Sequence, residues 1–479
     1  MNPANTTFAI VGGGLSGALV AVHLLRLADP GTRIILIERR PPVGRGVAYG
    51  TDCFQHLLNV PAERMSAFAD QPEHFLQWAR ERGPDFGWTG AVTGSDFLPR
   101  QLFGHYVTDT LMKAVVAAPA GVSLESVAGE AIDIAEDAGG ARVLLAGGAE
   151  FHVRAVVLAL GNLPGEYPIQ RPLRFYRGPR YVHVPWVPGL MANIAPDDDV
   201  LVVGAGLTAV DIIVQLSQLG HRGTIHALSR RGLRPLSHYF GREEYPAFLT
   251  GEPLPPTVLA LLRRLRAEIR CAGAEGIDWR AVVDAIRPQS QAIWLGWTLA
   301  ERRRFLRHVR PFWEVHRHRL APATAAIVER LAAAGRVRFI AGRLDALRDE
   351  LTCAEAVYRL RGSERMQTLR VAKVINCTGP RTDYSKYQHP LLINLLARGL
   401  IDHDPLALGL NARPSGEVLR YRGGPTGWLF TLGAPLKGVL WESTAVPEIR
   451  LHAANVAASM IARAGAPPAA ENAGTIEHR

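Results

Sequence analysis

The residue groupings best suited to chemistry are two glycine-rich turns and the charged positions downstream of each. The first, Gly12-Gly13-Gly14-Leu15-Ser16-Gly17, follows the apolar run TFAIV and leads into ALVAVHLLRL, which has helical character. In a strand, G-x-G-x-x-G, helix arrangement, Gly12 permits a tight turn and Gly14 lets a pyrophosphate approach the backbone. Gly17 lets the helix pack on the strand, and the amides around Leu15 and Ser16 then face phosphate. The following strand, RIILI, ends at Glu38 and Arg39, and a carboxylate placed there can accept hydrogen bonds from a ribose diol.

The pattern returns. VLVV leads into Gly204-Ala205-Gly206-Leu207-Thr208-Ala209 and a second apolar helix, and the next strand, TIHAL, ends in Ser229-Arg230-Arg231. Gly12 to Glu38 and Gly204 to Arg230 both span 26 positions, so equal counting sets an acid at the first ribose and a base at the second. A carboxylate repels a 2′-phosphate, whereas a guanidinium pairs with it bidentately. The first site therefore suits FAD and the second NADPH, with ordinary strand-end surface arginines as the competing reading of Arg230 and Arg231.

Each turn also has a later counterpart: AVVLALG closes at Gly161 and KVINCTG at Gly379. Apolar strands ending on such a turn carry the chain across a sheet and lay a glycine beside a cofactor or a domain crossing. The expected architecture is α/β, with two Rossmann-like dinucleotide-binding domains, the NADPH domain inserted in the FAD domain, and an added helical subdomain. Expected bounds are 1–170 and 380–464 for the FAD domain and 190–378 for the NADPH domain, with the helical insert at 240–330. A Pro- and Ala-rich tail, 465–479, is expected to be disordered.

Composition narrows the class. With 479 residues, 48% hydrophobic and 20% charged, and mean hydropathy of +0.04, the chain reads as a soluble globular enzyme. No apolar run approaches the ~20 residues of a spanning helix. The start, MNPANTTF, shows no secretory signal, so the expectation is cytoplasmic, with no membrane partner. Cys53, Cys271, Cys353 and Cys377 are widely spaced, which argues against a dithiol relay and against a metal site.

The net charge of +10 is partly local, since residues 256–330 hold 14 Arg, no Lys and 7 acidic residues. No zinc-finger or RNA-binding signature accompanies it, so no nucleic acid partner is expected. Arg302, Arg303, Arg304, Arg307 and Arg310, near His308 and Trp313, either line an entrance for an acidic substrate or form a solvated helix face.

The stretches GRGVAYGTDCFQHLLNVPAERMSAFADQPEHFLQW, FLPRQLFGHYV, GAGLTAVD with GHRGTIHALSRRGLRP, and TLGAPLKGVLWESTAVPEIR resemble the bacterial FAD-NAD(P)-binding oxidoreductases of the YdhS-like group over nearly the whole chain. More broadly, the arrangement is similar to the class B flavin monooxygenases, which include N-hydroxylating and Baeyer-Villiger enzymes. Phe175, Gly178, His183 and Trp186 approximate the fingerprint those enzymes carry before the second nucleotide fold, with altered spacing.

The resemblance implies that 46–50 and 57–61 turn from the ribose toward the flavin ring. Asn59 would hydrogen-bond the flavin and Met65 pack on it. His56 would be a catalytic acid or base, or else a structural histidine. Gly433 would bring a helix N-terminus to the flavin, with Trp441 and Glu442 near the ring unless they only pack and cap. His56, Asn59 and Trp441 are thus the catalytic candidates. The implied reaction is hydride delivery from NADPH to flavin, followed by oxygen transfer from molecular oxygen to a small substrate such as an amino or organic acid. An NADPH reductase or dehydrogenase without oxygen insertion, and a non-catalytic FAD-binding redox sensor, fit the same cofactor sites.

Overall fold

The computed structural model describes residues 6–170, 173–239, 241, 244–250 and 253–465. Strand β1 (Thr7–Val11) is apolar because both of its faces are covered, as in parallel sheets generally. Helix α1 (Leu15–Leu27) is likewise buried along most of its length. β2 (Arg33–Glu38) pairs parallel to β1, with Val11 opposite Ile37. Next come α2 (Gly46–Tyr49), α3 (His74–Arg82), α4 (Arg100–Val116) and β3 (Ser123–Ala128). An antiparallel meander of β4 (Ala131–Asp137), β5 (Gly140–Leu145) and β6 (Glu150–Val153) then leads to β7 (Ala155–Leu158).

The chain now leaves for a second sheet. β8 (Tyr181–Val182), β9 (Val200–Val203), α5 (Leu207–Gln218) and β10 (Ile225–Ser229) are followed by a helical run. That run comprises α6 (Val258–Ala274), α7 (Trp279–Ala285), α8 (Ser290–Gly296), α9 (Leu299–Arg304) and α10 (Arg310–Arg317). A π-helical turn, Phe305–Val309, joins α9 to α10. Pro311 sits in the first turn of α10 and has no N–H for the carbonyl four residues back, so the regular ladder breaks there.

α11 (Pro322–Ala333) packs on α5 and on β11 (Val337–Asp349). It therefore wraps the second sheet, and the helical cover ends with α10, short of the expected limit at 330. β12 (Ala354–Leu360), β13 (Met366–Val371) and β14 (Lys373–Asn376) complete this part. α12 (Pro390–Ala397), β15 (Glu417–Leu419), β16 (Pro425–Thr431) and α13 (Val446–Gly465) bring the chain back.

The first sheet has the order β15-β16-β7-β1-β2-β3 and the second β13-β12-β11-β10-β9-β14-β8. β16 lies parallel to β7, Leu429 opposite Val156, so strands from both ends of the chain share one sheet and the second is inserted between them. The expectation of two dinucleotide folds, one inserted in the other, holds. Of the expected tail, Gly465 ends α13, and the remainder lies outside the described residues. No described helix is long and apolar enough to cross a membrane, and no described cluster of His, Cys, Asp or Glu could hold a metal ion.

Candidate cofactor and active site

The first turn is built by close approach. Gly12 has φ +106° and donates its amide to Ile37 at 2.9 Å. A Cβ on Gly12 would lie 2.3 Å from the Ala159 carbonyl oxygen, and one on Gly17 only 1.9 Å from that of Gly12. Strand, turn and helix therefore meet as tightly as backbone allows, and only glycine fits. No side chain caps α1 at Gly14, so amides at Leu15 and Ser16 remain for a ligand's phosphates. The Glu38 carboxylate is fixed beside them, accepting from Gly13 N and Arg40 N at 2.7 Å each. Arg39 turns away toward Glu130, at 3.3 Å. The side of Gly14 expected to admit pyrophosphate faces Gly46 instead, whose Cα would sit 3.4 Å from an added Cβ.

The second turn repeats this geometry. Gly204, φ +122°, donates to Leu228 at 2.8 Å, and a Cβ there would lie 2.2 Å from the Cys377 carbonyl oxygen. Ala209, in the third-glycine position, is fully buried. Leu207 and Thr208 are half-buried in the uncapped first turn of α5, and nothing lies within 4 Å of a Cβ built on Gly206. That open side is what a pyrophosphate requires.

Strand register corrects the equal-count argument. Val11 lies opposite Ile37, and Val203 opposite Leu228, so the structural counterpart of Glu38 is Ser229. Arg230 corresponds to Arg39, one residue further on. A neutral Ser229 removes the repulsive carboxylate, and Arg230 and Arg231 follow it directly. Neither arginine has an ion-pair partner among the described residues, and the Arg231 guanidinium lies 5.4 Å from the centroid of Phe312.

Gly161, φ +61°, and Gly379, φ +91°, end the two crossing strands, each with open space where a Cβ would stand. The crossings run side by side, with a bridge between Leu163 and Arg381. Gly433, φ +74°, meets the first turn from the other side, since its Cβ would lie 3.0 Å from Ser16 Oγ.

The catalytic candidates separate. His56 is buried with both ring nitrogens engaged, by Thr51 Oγ1 at 2.7 Å and by the Asp211 carbonyl at 2.9 Å. Burial, partly opposed by Asp211, lowers its pKa. It ties the first part of the chain to α5 and has no nitrogen left for proton transfer to a substrate, so the acid–base expectation gives way to the structural one. Met65 lies in the core cluster that includes Leu15 and Leu436. Asn59 is half-buried, and its carbonyl accepts from His238 Nε2 at 2.9 Å.

Trp441 is 4% exposed and stacks on Trp294, with centroids 4.9 Å apart. Its indole nitrogen is buried and has no hydrogen-bond partner among the described residues. Glu442, expected beside a cofactor, turns to the helical cover instead, accepting from Trp313 Nε1 at 3.0 Å and pairing with Arg317 at 3.4 Å. Its φ of +65° is an uncommon, strained conformation for a residue with a side chain.

Two groups escaped the sequence reading. Arg100 and Asp211 form a buried bidentate pair between α4 and α5, signalled only by a lone acid within the apolar run VDIIV. Arg287 likewise clasps Glu448 with contacts of 2.8 to 3.1 Å, fastening the helical cover to α13. Of the five clustered arginines, Arg302 caps carbonyls of Trp297 and Leu295 and Arg304 pairs with Glu301. Arg310 pairs with Glu314, whereas Arg303 and Arg307 are exposed.

Residues 9–163 match the FAD-NAD(P)-binding family. Among curated proteins no sequence matches. Among solved structures, the ornithine hydroxylase of Pseudomonas aeruginosa in its reduced form is similar at a TM-score of 0.63 and 15% identity, covering 96% of this chain and 99% of that one. The L-lysine 6-monooxygenase of Pseudomonas syringae gives 0.60 and 16%, over 96% and 100%. The FAD-bound cadaverine monooxygenase of Erwinia amylovora gives 0.62 and 12%, over 95% and 94%. At these identities the likeness shows a shared fold.

Proposed function

We propose that the chain is an FAD-dependent, NADPH-using monooxygenase acting on a small amino or carboxylic compound. The observation that carries this reading is the helical cover. α6 to α10 leave the NADPH-side sheet and lock onto the FAD-side segment 433–448 through Glu442, Glu448 and the Trp441–Trp294 stack. Bound FAD would supply both the hydride acceptor and the centre that reacts with oxygen.

The chain's own residues then have separate tasks. Gly12 to Gly17 and Glu38 hold the adenosine diphosphate of FAD. Gly204 to Thr208, with Arg230 and Arg231, hold NADPH. The helical cover keeps water from the reacting centre, which oxygen transfer needs more than simple reduction does. The structural neighbours include enzymes described as acting on ornithine, lysine and cadaverine, which supports a small amine or amino acid substrate. The reaction class is tested by reducing the enzyme with NADPH without air, then admitting labelled oxygen with a panel of diamines, amino acids and organic acids. Label in one product establishes the activity, and NADPH turnover that proceeds equally without oxygen overturns it.

A further inference from the structure

Beyond Ser229 the chain sets Arg230, Arg231 and Arg234 close together, and none of them has an ion-pair partner among the described residues. Two of them lie over aromatic rings instead. The guanidinium carbon of Arg231 is 5.4 Å from the centroid of Phe312, and that of Arg234 is 5.3 Å from the centroid of Phe339. Phe339 belongs to β11, within the nucleotide fold, but Phe312 is brought in by α10 of the helical cover and stays 44% exposed.

The backbone fixes ring and guanidinium relative to each other. Leu236 donates its amide to the Val315 carbonyl at 3.1 Å and accepts from Leu320 N at 2.8 Å, so the chain leaving the arginines is bonded to α10 and to the residues after it. On the strand side, Gly232 turns the chain with φ +65° and donates to Ser229 Oγ at 3.1 Å. Trp313 and Arg317, on the same helix as Phe312, hold Glu442 of the FAD-side segment. A cation over a ring is attracted by the ring's quadrupole and uses none of its N–H donors. A carboxylate partner would have taken those donors and cancelled the charge. Arg231 is thus ordered in advance with its donors still available for a ligand oxygen, which lowers the cost of ordering it on binding.

We propose that Phe312 is a specificity-determining residue for the nicotinamide cofactor, positioning Arg231 to pair with the 2′-phosphate of NADPH. It acts through Arg231 and is a positioning residue. The proposal rests on the second nucleotide fold taking NADPH, and it extends the selectivity site from the end of β10 to a helix outside that fold.

The test uses oxidised, FAD-loaded enzyme titrated calorimetrically at fixed ionic strength with adenosine 2′,5′-bisphosphate and adenosine 5′-monophosphate, two probes that differ by the 2′-phosphate alone. Wild type should prefer the bisphosphate by roughly tenfold or more. Phe312→Leu keeps an apolar side chain without a ring, so that preference should fall about two- to fivefold, the worth of one exposed cation–π contact. Monophosphate affinity and FAD content should not change, and Phe312→Tyr should keep the wild-type ratio. In an Arg231→Ala background Phe312→Leu should cause no further loss, because the ring acts only through that guanidinium. An unchanged ratio in Phe312→Leu, an equal loss of both probes, or the same loss with and without Arg231 would each overturn the assignment. A wild-type ratio near one would overturn it together with the NADPH reading, whereas a ratio lowered by Arg231→Ala but not by Phe312→Leu would count against Phe312 alone.

Discussion

Arg100 and Asp211 face each other across the boundary between the two nucleotide folds, with Nη1 2.7 Å from Oδ2 and Nη2 3.1 Å from Oδ1. Their side chains are 13% and 8% exposed, so each charge depends on the other for what water would have supplied. Arg100 Nε also donates to the Leu57 carbonyl at 2.9 Å, and His56 reaches the Asp211 carbonyl alongside. Removing one partner strands the other. Arg100→Met should destabilise the protein by about 3–5 kcal/mol, read from urea unfolding. Arg100→Met combined with Asp211→Leu should recover part of that loss. Additive effects of the two substitutions would show that the pair is not coupled.

The glycines divide by what surrounds them. A Cβ at Gly17 meets backbone at 1.9 Å, whereas one at Gly206 meets nothing within 4 Å. Gly17→Ala should therefore yield protein that folds poorly and copurifies with little FAD. Gly206→Ala should fold and carry FAD normally, yet bind NADPH at least tenfold more weakly, about 1.4 kcal/mol. Unimpaired NADPH binding in Gly206→Ala would place the pyrophosphate elsewhere.

How much of this was legible beforehand depends on whether the cause is local. Gly12, Gly17, Gly204 and Ala209 announce themselves because strand, turn and helix must touch within a few residues, and any bulk there is excluded. Arg230 was set opposite Glu38, one position beyond the true counterpart Ser229, because counting along the chain assumes equal turns. The path from Gly204 to the residue that receives its amide is one shorter than that from Gly12. Glu442 and Trp313 are 129 positions apart, and no periodicity in either segment foretells their contact. His56 shows the opposite failure. A histidine in a site-like motif reads as chemistry until the structure shows both nitrogens occupied.

Acid should loosen the same boundary. His238 donates from Nε2 to the Asn59 carbonyl, and burial, with Arg319 close by, lowers its pKa to about 4. The folded state thus keeps it neutral while the unfolded chain, with an ordinary value near 6.5, takes up a proton. Stability from this group is fully present above about pH 6.5 and is lost progressively as pH falls toward 4, by at most about 3 kcal/mol. His238→Gln keeps a side-chain N–H donor but cannot titrate. Urea midpoints compared at pH 7 and pH 4.5 should fall less in the variant than in wild type, and an equal fall in both would assign the acid sensitivity to other groups.

The choice between nicotinamides provides the sharpest check on the register. Glu38 sits at the end of β2 with its carboxylate fixed by Gly13 and Arg40, and strand pairing sets Ser229 at the equivalent end of β10. A 2′-phosphate at that place would meet a hydroxyl instead of a carboxylate, with Arg230 and Arg231, which have no ion-pair partner among the described residues, next in the chain. Charge-assisted contacts of about 1.5–3 kcal/mol correspond to roughly a 10- to 150-fold preference for NADPH over NADH, measurable as the ratio of flavin reduction rates at limiting nicotinamide under anaerobic conditions. Arg230→Ala should lower that ratio by about tenfold or more without changing FAD content. Ser229→Asp is the discriminating variant. It restores the acid at the position the register identifies, so it should repel the 2′-phosphate, accept the ribose diol and turn preference toward NADH with both arginines still present. If Ser229→Asp leaves the ratio unchanged while Arg230→Glu reverses it, the ribose is read one residue later, as equal counting along the sequence had it.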